Sequence, residues 1–244
     1  MKNLIKLSIC SALFFTVIAQ AQWSSRDKIK GNGKIITEKR NTVSYDEIRV
    51  SGFYDVNLVS GTEGNISIRG EENLLSFIKI EVQDNVLKIY TEKDKNIRTS
   101  QGKNITITVP FETLSLVSLT GSGDVKTQNV IKANTFMAKL SGSGDLNLDV
   151  EANRFEASLS GSGDVFLKGN AETFISKLSG SGDIDASALE AKNVDIAISG
   201  SGDSKVFCSE NLKARVSGSG DIEYKGNPKS KDTKVSGSGE ISKA

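Results

Sequence analysis

The chain has 244 residues, 37% of them hydrophobic and 6% aromatic, and it carries 31 Lys and Arg against 30 Asp and Glu. This balance argues against nucleic-acid binding, which needs an excess of basic residues facing the phosphates. With no His and two Cys, the sequence also excludes His-dependent catalytic triads, the common His-containing zinc sites and a disulfide-rich scaffold. The 23 Gly are the distinctive feature, because most of them are clustered.

Residues 1–21 are predicted to be a secretory signal peptide. Two lysines precede an apolar run over residues 7–18, and Ala-Gln-Ala at 19–21 fits a small-x-small cleavage site. The apolar run is too short to span a bilayer comfortably, and the mature chain contains no apolar run that is longer. We therefore expect an exported protein without a transmembrane segment, in the periplasm, on the outer surface or secreted. Cleavage leaves Cys208 as the one Cys of the mature chain, and we expect its thiol to be buried.

Residues 22–39 carry few core signals and are expected to be a flexible N-terminal segment. Residues 40–118 hold several short β-favouring runs, which are separated by long charged linkers. We interpret residues 40–118 as an irregular N-terminal β region that caps the repeats described next. The alternative is a separate small β-domain.

Residues 119–244 contain Gly-Ser-Gly followed by an acid seven times, at spacings of 21, 19, 19, 20, 18 and 19 residues. Repetition at this period indicates a solenoid, in which each unit buries its apolar face against its neighbours. We expect the fourteen glycines of the motif to form the corners of the rungs. They are Gly121, Gly123, Gly142, Gly144, Gly161, Gly163, Gly180, Gly182, Gly200, Gly202, Gly218, Gly220, Gly237 and Gly239.

Apolar and polar residues alternate within each copy, for example over residues 155–167, and this indicates strands with one buried face. A unit of about 19 residues is too short for a strand-helix-strand. The sequence therefore predicts an all-β fold, a β-solenoid with about 19 residues per rung and less regular N-terminal rungs. Residues 50–58 match residues 159–167 position by position, with Tyr54 in place of the second glycine, so a disguised copy precedes the regular ones.

The repeated acids are the sharpest candidates for a functional site. Carboxylates and carbonyls in glycine-rich turns bind calcium, so the sequence offers a weak calcium-site hypothesis and a calcium-stabilised repeat protein as an alternative function. We favour a structural role, in which each Asp caps its own turn by accepting backbone N–H groups, and we expect no cofactor. The candidates are Asp124, Asp145, Asp164, Asp183, Asp203 and Asp221.

No catalytic constellation stands out, so we do not expect an enzyme, although an enzyme acting on envelope polysaccharide stays an alternative.

The serines also recur, as in Ser160 and Ser162 followed by Ser179 and Ser181. They would form either ladders of shared hydrogen bonds or a polar surface for a glycan. The expected partners are a surface glycan or an envelope protein. An open last rung near Ala244 would also allow end-to-end self-association.

Several segments together resemble the head GIN domain family of auto-transporter adhesins. They are SGFYDVNLVSG, KIEVQDNVLKIY, NITITVP, LTGSGDV and the tandem LSGSGD copies, and the resemblance covers roughly residues 40–243. It implies a right-handed β-helix fold, export and an adhesive role, with no catalytic residues. The prediction is an exported binding or structural module of the cell envelope, an adhesin without catalytic activity.

Overall fold

The computed structural model describes residues 28–244. The predicted signal peptide and residues 22–27 of the predicted flexible segment lie outside these residues. The described chain is almost entirely β, with parallel coils stacked about 19 residues apart in about seven turns. The predicted β-solenoid is therefore confirmed. No helix within residues 28–244 is long and apolar enough to cross a membrane.

The N-terminal elements include a single four-residue helix. They are β1 (Lys28–Lys30), β2 (Ile35–Asn41), β3 (Glu47–Gly52), β4 (Asp55–Ser60), β5 (Asn65–Glu71), α1 (Glu72–Leu75), β6 (Ile78–Gln83), β7 (Val86–Thr91), β8 (Asn96–Arg98) and β9 (Thr106–Phe111). The remaining elements are all strands. They are β10 (Leu116–Gly121), β11 (Asp124–Thr127), β12 (Ile131–Gly142), β13 (Asp145–Gly161), β14 (Val165–Gly180), β15 (Ile184–Gly200), β16 (Ser204–Gly218), β17 (Ile222–Lys225), β18 (Ser230–Gly237) and β19 (Ile241–Lys243).

In the regular part, each strand pairs in parallel with the strand one repeat later. Between β13 and β14, Phe155 lies opposite Phe174, and Gly161 lies opposite Gly180. The central repeats each form one long strand between corners, and β13 runs through nearly a whole rung. The reason is that parallel pairing continues through the turn opposite the glycine corner. Register shifts between β14, β15 and β16 lie on that opposite side, and the corners themselves stay in register.

The disguised copy at residues 50–58 continues the solenoid. β3 and β4 pair in parallel with β10 and β11, so that Gly52 lies opposite Gly121 and Asp55 opposite Asp124. The chain between β4 and β10 folds back over this end. There β7 and β9 pair in parallel with β3 and β4, while β5 and β6 run antiparallel to β9 and β7. One cluster of buried apolar side chains extends from Tyr45 to Tyr224 through all of these rungs.

Residues 28–39 lie in the segment that we expect to be flexible, but they contain paired strands. β2 pairs with β5 and β1 with β8, and the buried carboxylate of Glu71 accepts hydrogen bonds from the N–H of Gly33 (2.6 Å) and of Ser100 (2.8 Å). Burial raises the pKa of Glu71. The hydrogen bonds to its carboxylate and nearby Lys103 together lower the pKa by more than burial raises it, so the pKa lies below its usual range. Backbone pairing and one carboxylate order this segment, and neither produces an apolar pattern in the sequence.

Candidate functional site

Each Gly-Ser-Gly segment forms a sharp corner whose backbone groups are paired between rungs. The carbonyl of Gly142 accepts hydrogen bonds from the N–H of Ser162 (2.9 Å) and of Gly163 (3.1 Å) in the next rung. The same pair of bonds recurs at every corner, beginning with the carbonyl of Gly52. The corners therefore leave few backbone groups unsatisfied, although the regular strand pairing is interrupted there.

The close approach of the corners explains why both positions are glycine. A Cβ on Gly161 would lie 2.1 Å from the carbonyl oxygen of Gly142, and Gly161 also has a φ of +140°, which other residues rarely adopt. A Cβ on Gly163 would lie 1.9 Å from the carbonyl oxygen of Gly144. Any side chain at either position would push the rungs apart.

The aspartates link neighbouring rungs. The N–H of Asp164 donates to Oδ1 of Asp145 (3.0 Å), and the N–H of Asp183 donates to Oδ1 of Asp164 (3.0 Å). This differs from the expectation that each Asp caps its own turn. The main-chain carbonyl of Asp183 accepts the N–H of Val165 (2.9 Å). The N–H of Asp183 has its acceptor in the carboxylate of the preceding rung, which the backbone of the corner does not supply.

The calcium candidates form a single file with one carboxylate per rung. One oxygen of each already accepts a backbone N–H, from Asp124 at one end to Asp221, which accepts the N–H of Glu240 at 2.7 Å. Calcium needs six to eight oxygen ligands around one point. Within residues 28–244, no group of three or more His, Cys, Asp or Glu side chains is placed to hold a metal ion.

A groove of about 780 Å³ lies along one side of the solenoid and extends from the rung of Ser118 to the rung of Ser236. Two rows of outward-facing residues form its walls, with one buried residue of each strand between them. We call one wall the serine row. It consists of Ser141, Ser160, Ser179, Ser199, Ser217 and Ser236.

The serine row contains part of the predicted serine ladders. Ser160 and Ser179 line the groove, whereas Ser162 and Ser181 lie at the corners outside it. In the part of the chain that the structure describes, no hydrogen bond joins Ser160 to Ser179, which lie opposite each other in β13 and β14. Their hydroxyls are exposed and available to a ligand.

The other wall contains four basic residues, which we call the cation row: Lys139, Lys177, Arg215 and Lys234. Among residues 28–244, no Asp or Glu lines the groove. Reasoning from the sequence missed this row, because the basic residues alternate with Ser and Ala from copy to copy. The row could have been found in the sequence by aligning the copies by register. The basic residues then appear two positions before the serines of the serine row.

A scan against protein families matches residues 44–228 to the family described as "Putative auto-transporter adhesin, head GIN domain". The chain belongs to this family. The resemblance found in the sequence is thereby confirmed. A search of curated proteins finds no match to the chain.

Several solved structures share the fold of this head GIN domain. One, described as a "putative adhesin" from Bacteroides fragilis, is 27% identical, with a TM-score of 0.82 over 88% of this chain and 100% of its own. A second, described as a "putative lipid binding protein" from Parabacteroides distasonis, is 26% identical, with a TM-score of 0.75 over 89% and 100%. A "putative adhesin" from Parabacteroides merdae is 26% identical, with a TM-score of 0.67 over 89% and 99%.

The other residues singled out in the sequence belong to the core of the head GIN domain or its cap. Cys208 is buried, as predicted, and this burial raises the pKa of its thiol, which makes the thiol a poor nucleophile. Tyr45 and Tyr54 are buried too, and their hydroxyls contact the carbonyl of Pro110 and the hydroxyl of Thr91.

Proposed function

We propose that the protein is an exported binding module of the cell envelope, an adhesin that acts without catalysis. The observation that carries this proposal is the groove, in which one wall repeats serine from rung to rung and basic residues recur along the other wall. A repetitive surface of this kind suits a long ligand that makes the same contact several times. The family description and the names of two similar structures support an adhesive role.

The arrangement of the acids supports a binding role over an enzyme that acts on polysaccharide. Neighbouring aspartates lie one rung apart, about 4.8 Å, which is near the separation of paired carboxylates in retaining glycosidases. However, an acid and a nucleophile need different environments to hold different protonation states. Asp145, Asp164 and Asp183 have equivalent surroundings, and none of them lines the groove.

The proposal is tested with the purified protein on arrays of bacterial surface glycans and on intact cells. We expect saturable binding and no release of sugar from any polysaccharide that binds. Hydrolysis or elimination of a bound polysaccharide would contradict the proposal. Selective binding to phospholipid instead of glycan would favour a lipid-binding role, as in the name of the second similar structure.

A matched pair of substitutions locates the contact. Ser179→Leu fills the groove in a central rung and removes one hydroxyl, while Ser181→Leu makes the same change two residues away at the corner. We expect Ser179→Leu to weaken binding severalfold and Ser181→Leu to leave it unchanged. Equal effects of the two variants would place the binding surface elsewhere.

A further inference from the structure

We infer that the groove binds a linear polyanionic glycan, whose acidic groups are held by the cation row. This inference rests on the proposed function, since it assigns a ligand class to the same surface. The chain as a whole is nearly neutral, with 31 basic and 30 acidic residues. The groove departs from that balance, because four basic residues and no acidic residue of the described chain line it.

Strand register sets the spacing of these charges. Lys139 lies two rungs from Lys177, and Lys177 lies two rungs from Arg215, which is about 9.6 Å in each case for rungs about 4.8 Å apart. Lys234 follows Arg215 in the next rung. The result is a line of cations parallel to the solenoid axis, and it matches a polymer that carries negative charges at intervals along an extended chain.

The lysines of this line keep their charge available. Among the described residues, Lys139, Lys177 and Lys234 form no ion pair, while Arg215 pairs with Asp232.

Two of the three acids in the adjacent outward row are engaged by cations outside the groove, and the third, Asp232, is the partner of Arg215. Glu156 pairs with Arg154 (2.7 Å), and Asp195 pairs with Lys213 (2.8 Å). The positive potential of the groove therefore comes from Lys139, Lys177 and Lys234, while the charge of Arg215 is compensated by Asp232.

The opposite wall supplies hydroxyl partners that suit a sugar polymer. The serine row faces the cation row across the groove, so hydroxyl groups of a sugar chain would meet hydroxyl partners while its acidic groups meet the lysines. Attachment to a membrane surface normally uses exposed apolar side chains beside the basic ones. The large apolar side chains exposed in the described chain are Val43, Phe166 and Val235, and none of them lines the groove.

The test compares the protein with a triple variant in which Lys139, Lys177 and Lys234 are each replaced by Gln. The probes are polygalacturonate as a linear polyanionic glycan, dextran as a neutral one, and vesicles of phosphatidylcholine with phosphatidylglycerol. We expect polygalacturonate to bind in preference to dextran, with an affinity that falls as salt is added. The triple variant should bind at least about tenfold more weakly, as expected for the loss of three surface ion pairs.

A second triple variant is the charge-matched control. Lys126→Gln, Lys205→Gln and Lys225→Gln also remove three exposed lysines, but none of them lines the groove. Binding by this control should stay within about twofold of the parent protein, because exposed charges beyond about 10 Å are largely screened at 0.1 M salt. Circular dichroism melting of both variants would show that each keeps the parent fold.

The outcomes separate the inference from the proposed function. Equal losses in the two triple variants would overturn the inference, because a general charge effect would then explain the binding. Binding to dextran that neither variant changes would also overturn it, while leaving the binding module intact. Binding to the vesicles without binding to polygalacturonate would assign the cation row to a membrane surface. No binding to any glycan, lipid or cell would overturn both proposals.

Discussion

The two glycines and the aspartate of each corner are needed for different reasons. Gly161 supplies a backbone conformation with a positive φ, whereas Gly163 has no unusual φ and is needed because the preceding rung leaves no room for a Cβ. Asp164 provides a hydrogen-bond acceptor that the backbone lacks at that point. The motif therefore recurs because three local requirements recur, once in every rung.

Gly163→Ala should destabilise the fold strongly. Its Cβ would lie 1.9 Å from a backbone oxygen, which cannot rotate away, so we expect a loss of at least about 2–3 kcal/mol in the free energy of unfolding. Gly61→Ala is the control, because the nearest atom that its Cβ would meet is a Pro110 carbon at 3.8 Å, and it should cost less than about 1 kcal/mol. Denaturant titration measures both. Similar midpoints for the two variants would contradict the steric account.

Asp164 permits a test that separates its hydrogen bond from its charge. Asp164→Ala removes the acceptor for the N–H of Asp183 and should cost about 1 kcal/mol. Asp164→Asn keeps a carbonyl acceptor and removes one charge from a row of like charges, so its cost should be clearly smaller. Thermal melts of the two variants decide this. Equal losses in the two variants would show that the charge itself is required, because both variants remove it and only Asn keeps the acceptor.

At the scale of elements, the N-terminal end depends on a few contacts that cross long stretches of sequence. Glu71, at the end of β5, accepts hydrogen bonds from Gly33 before β2 and from Ser100 after β8. These bonds hold β1 and β2 against the cap. Each rung of the regular part, in contrast, is paired over most of its length with the next.

This end should loosen in acid. The folded pKa of Glu71 is depressed, so its stabilising contribution is complete above the unfolded pKa, near 4.3, and is lost as the pH falls through the lower folded value. We expect amide exchange in β1 and β2, relative to the intrinsic exchange rate at each pH, to accelerate below about pH 4, before exchange in β14. Exchange that accelerates equally in both regions would contradict this.

Glu71→Gln should weaken the same segment even at neutral pH. The amide can accept fewer of the three hydrogen bonds that the carboxylate accepts, and the burial of the site leaves an N–H without a partner, at about 1–3 kcal/mol. Amide exchange in β1 and β2 of the variant should be fast already at pH 7, with little further change in acid. Exchange rates that match those of the parent protein would show that Glu71 does not anchor the segment.

The regular rungs were predictable from the sequence because each requirement is local and repeated. Alternation over residues 155–167 gave the buried face, and the motif spacing gave the register. The foldback of β5 to β9 was not predictable, because it reverses the direction in which the rungs stack. β7 and β9 pair with β3 and β4 on the side away from the regular rungs, although they lie between β4 and β10 in the chain. The cation row was missed because no single copy reveals it. It becomes visible only when Lys139, Lys177 and Arg215 are aligned by register.

At the scale of the whole molecule, stability comes from one continuous apolar core and from pairing between rungs. Phe136, Phe155 and Phe174 stack along it with ring centroids 5.5 and 5.4 Å apart. The acid ladder adds hydrogen bonds without gathering several carboxylates at one point. A bound ion is therefore not required to explain the fold.

We predict that calcium leaves the melting temperature unchanged. The protein should melt at the same temperature, within about 1 °C, in excess chelator and in millimolar calcium, since a site at 100 times its Kd would add about 2.7 kcal/mol and shift the melt by several degrees. Differential scanning calorimetry of one preparation in both conditions makes the comparison. A clear rise with calcium, absent with magnesium, would restore the calcium-stabilised alternative.

End-to-end self-association stays a prediction, and the structure indicates what would limit it. β18 pairs with β16, and no other strand pairing of β18 is present among residues 28–244. Its Lys231 and Lys234 are exposed, and charged side chains on an edge strand oppose pairing between copies. We expect the double variant Lys231→Thr, Lys234→Thr to sediment as larger species at high concentration than the parent protein does. A double variant that stays monomeric at all concentrations would contradict this.

The register shifts of the solenoid all occur on the side opposite the corners, for example between Ala186 and Glu190 in β15. Rungs of unequal length therefore differ only on that side, while the corners and the groove beside them keep a constant pitch. It follows that the chain can accept extra residues near 187–190 without disturbing the groove. The far side is thus a natural position for grafting a foreign loop, and duplication of a whole repeat would lengthen the groove by one step.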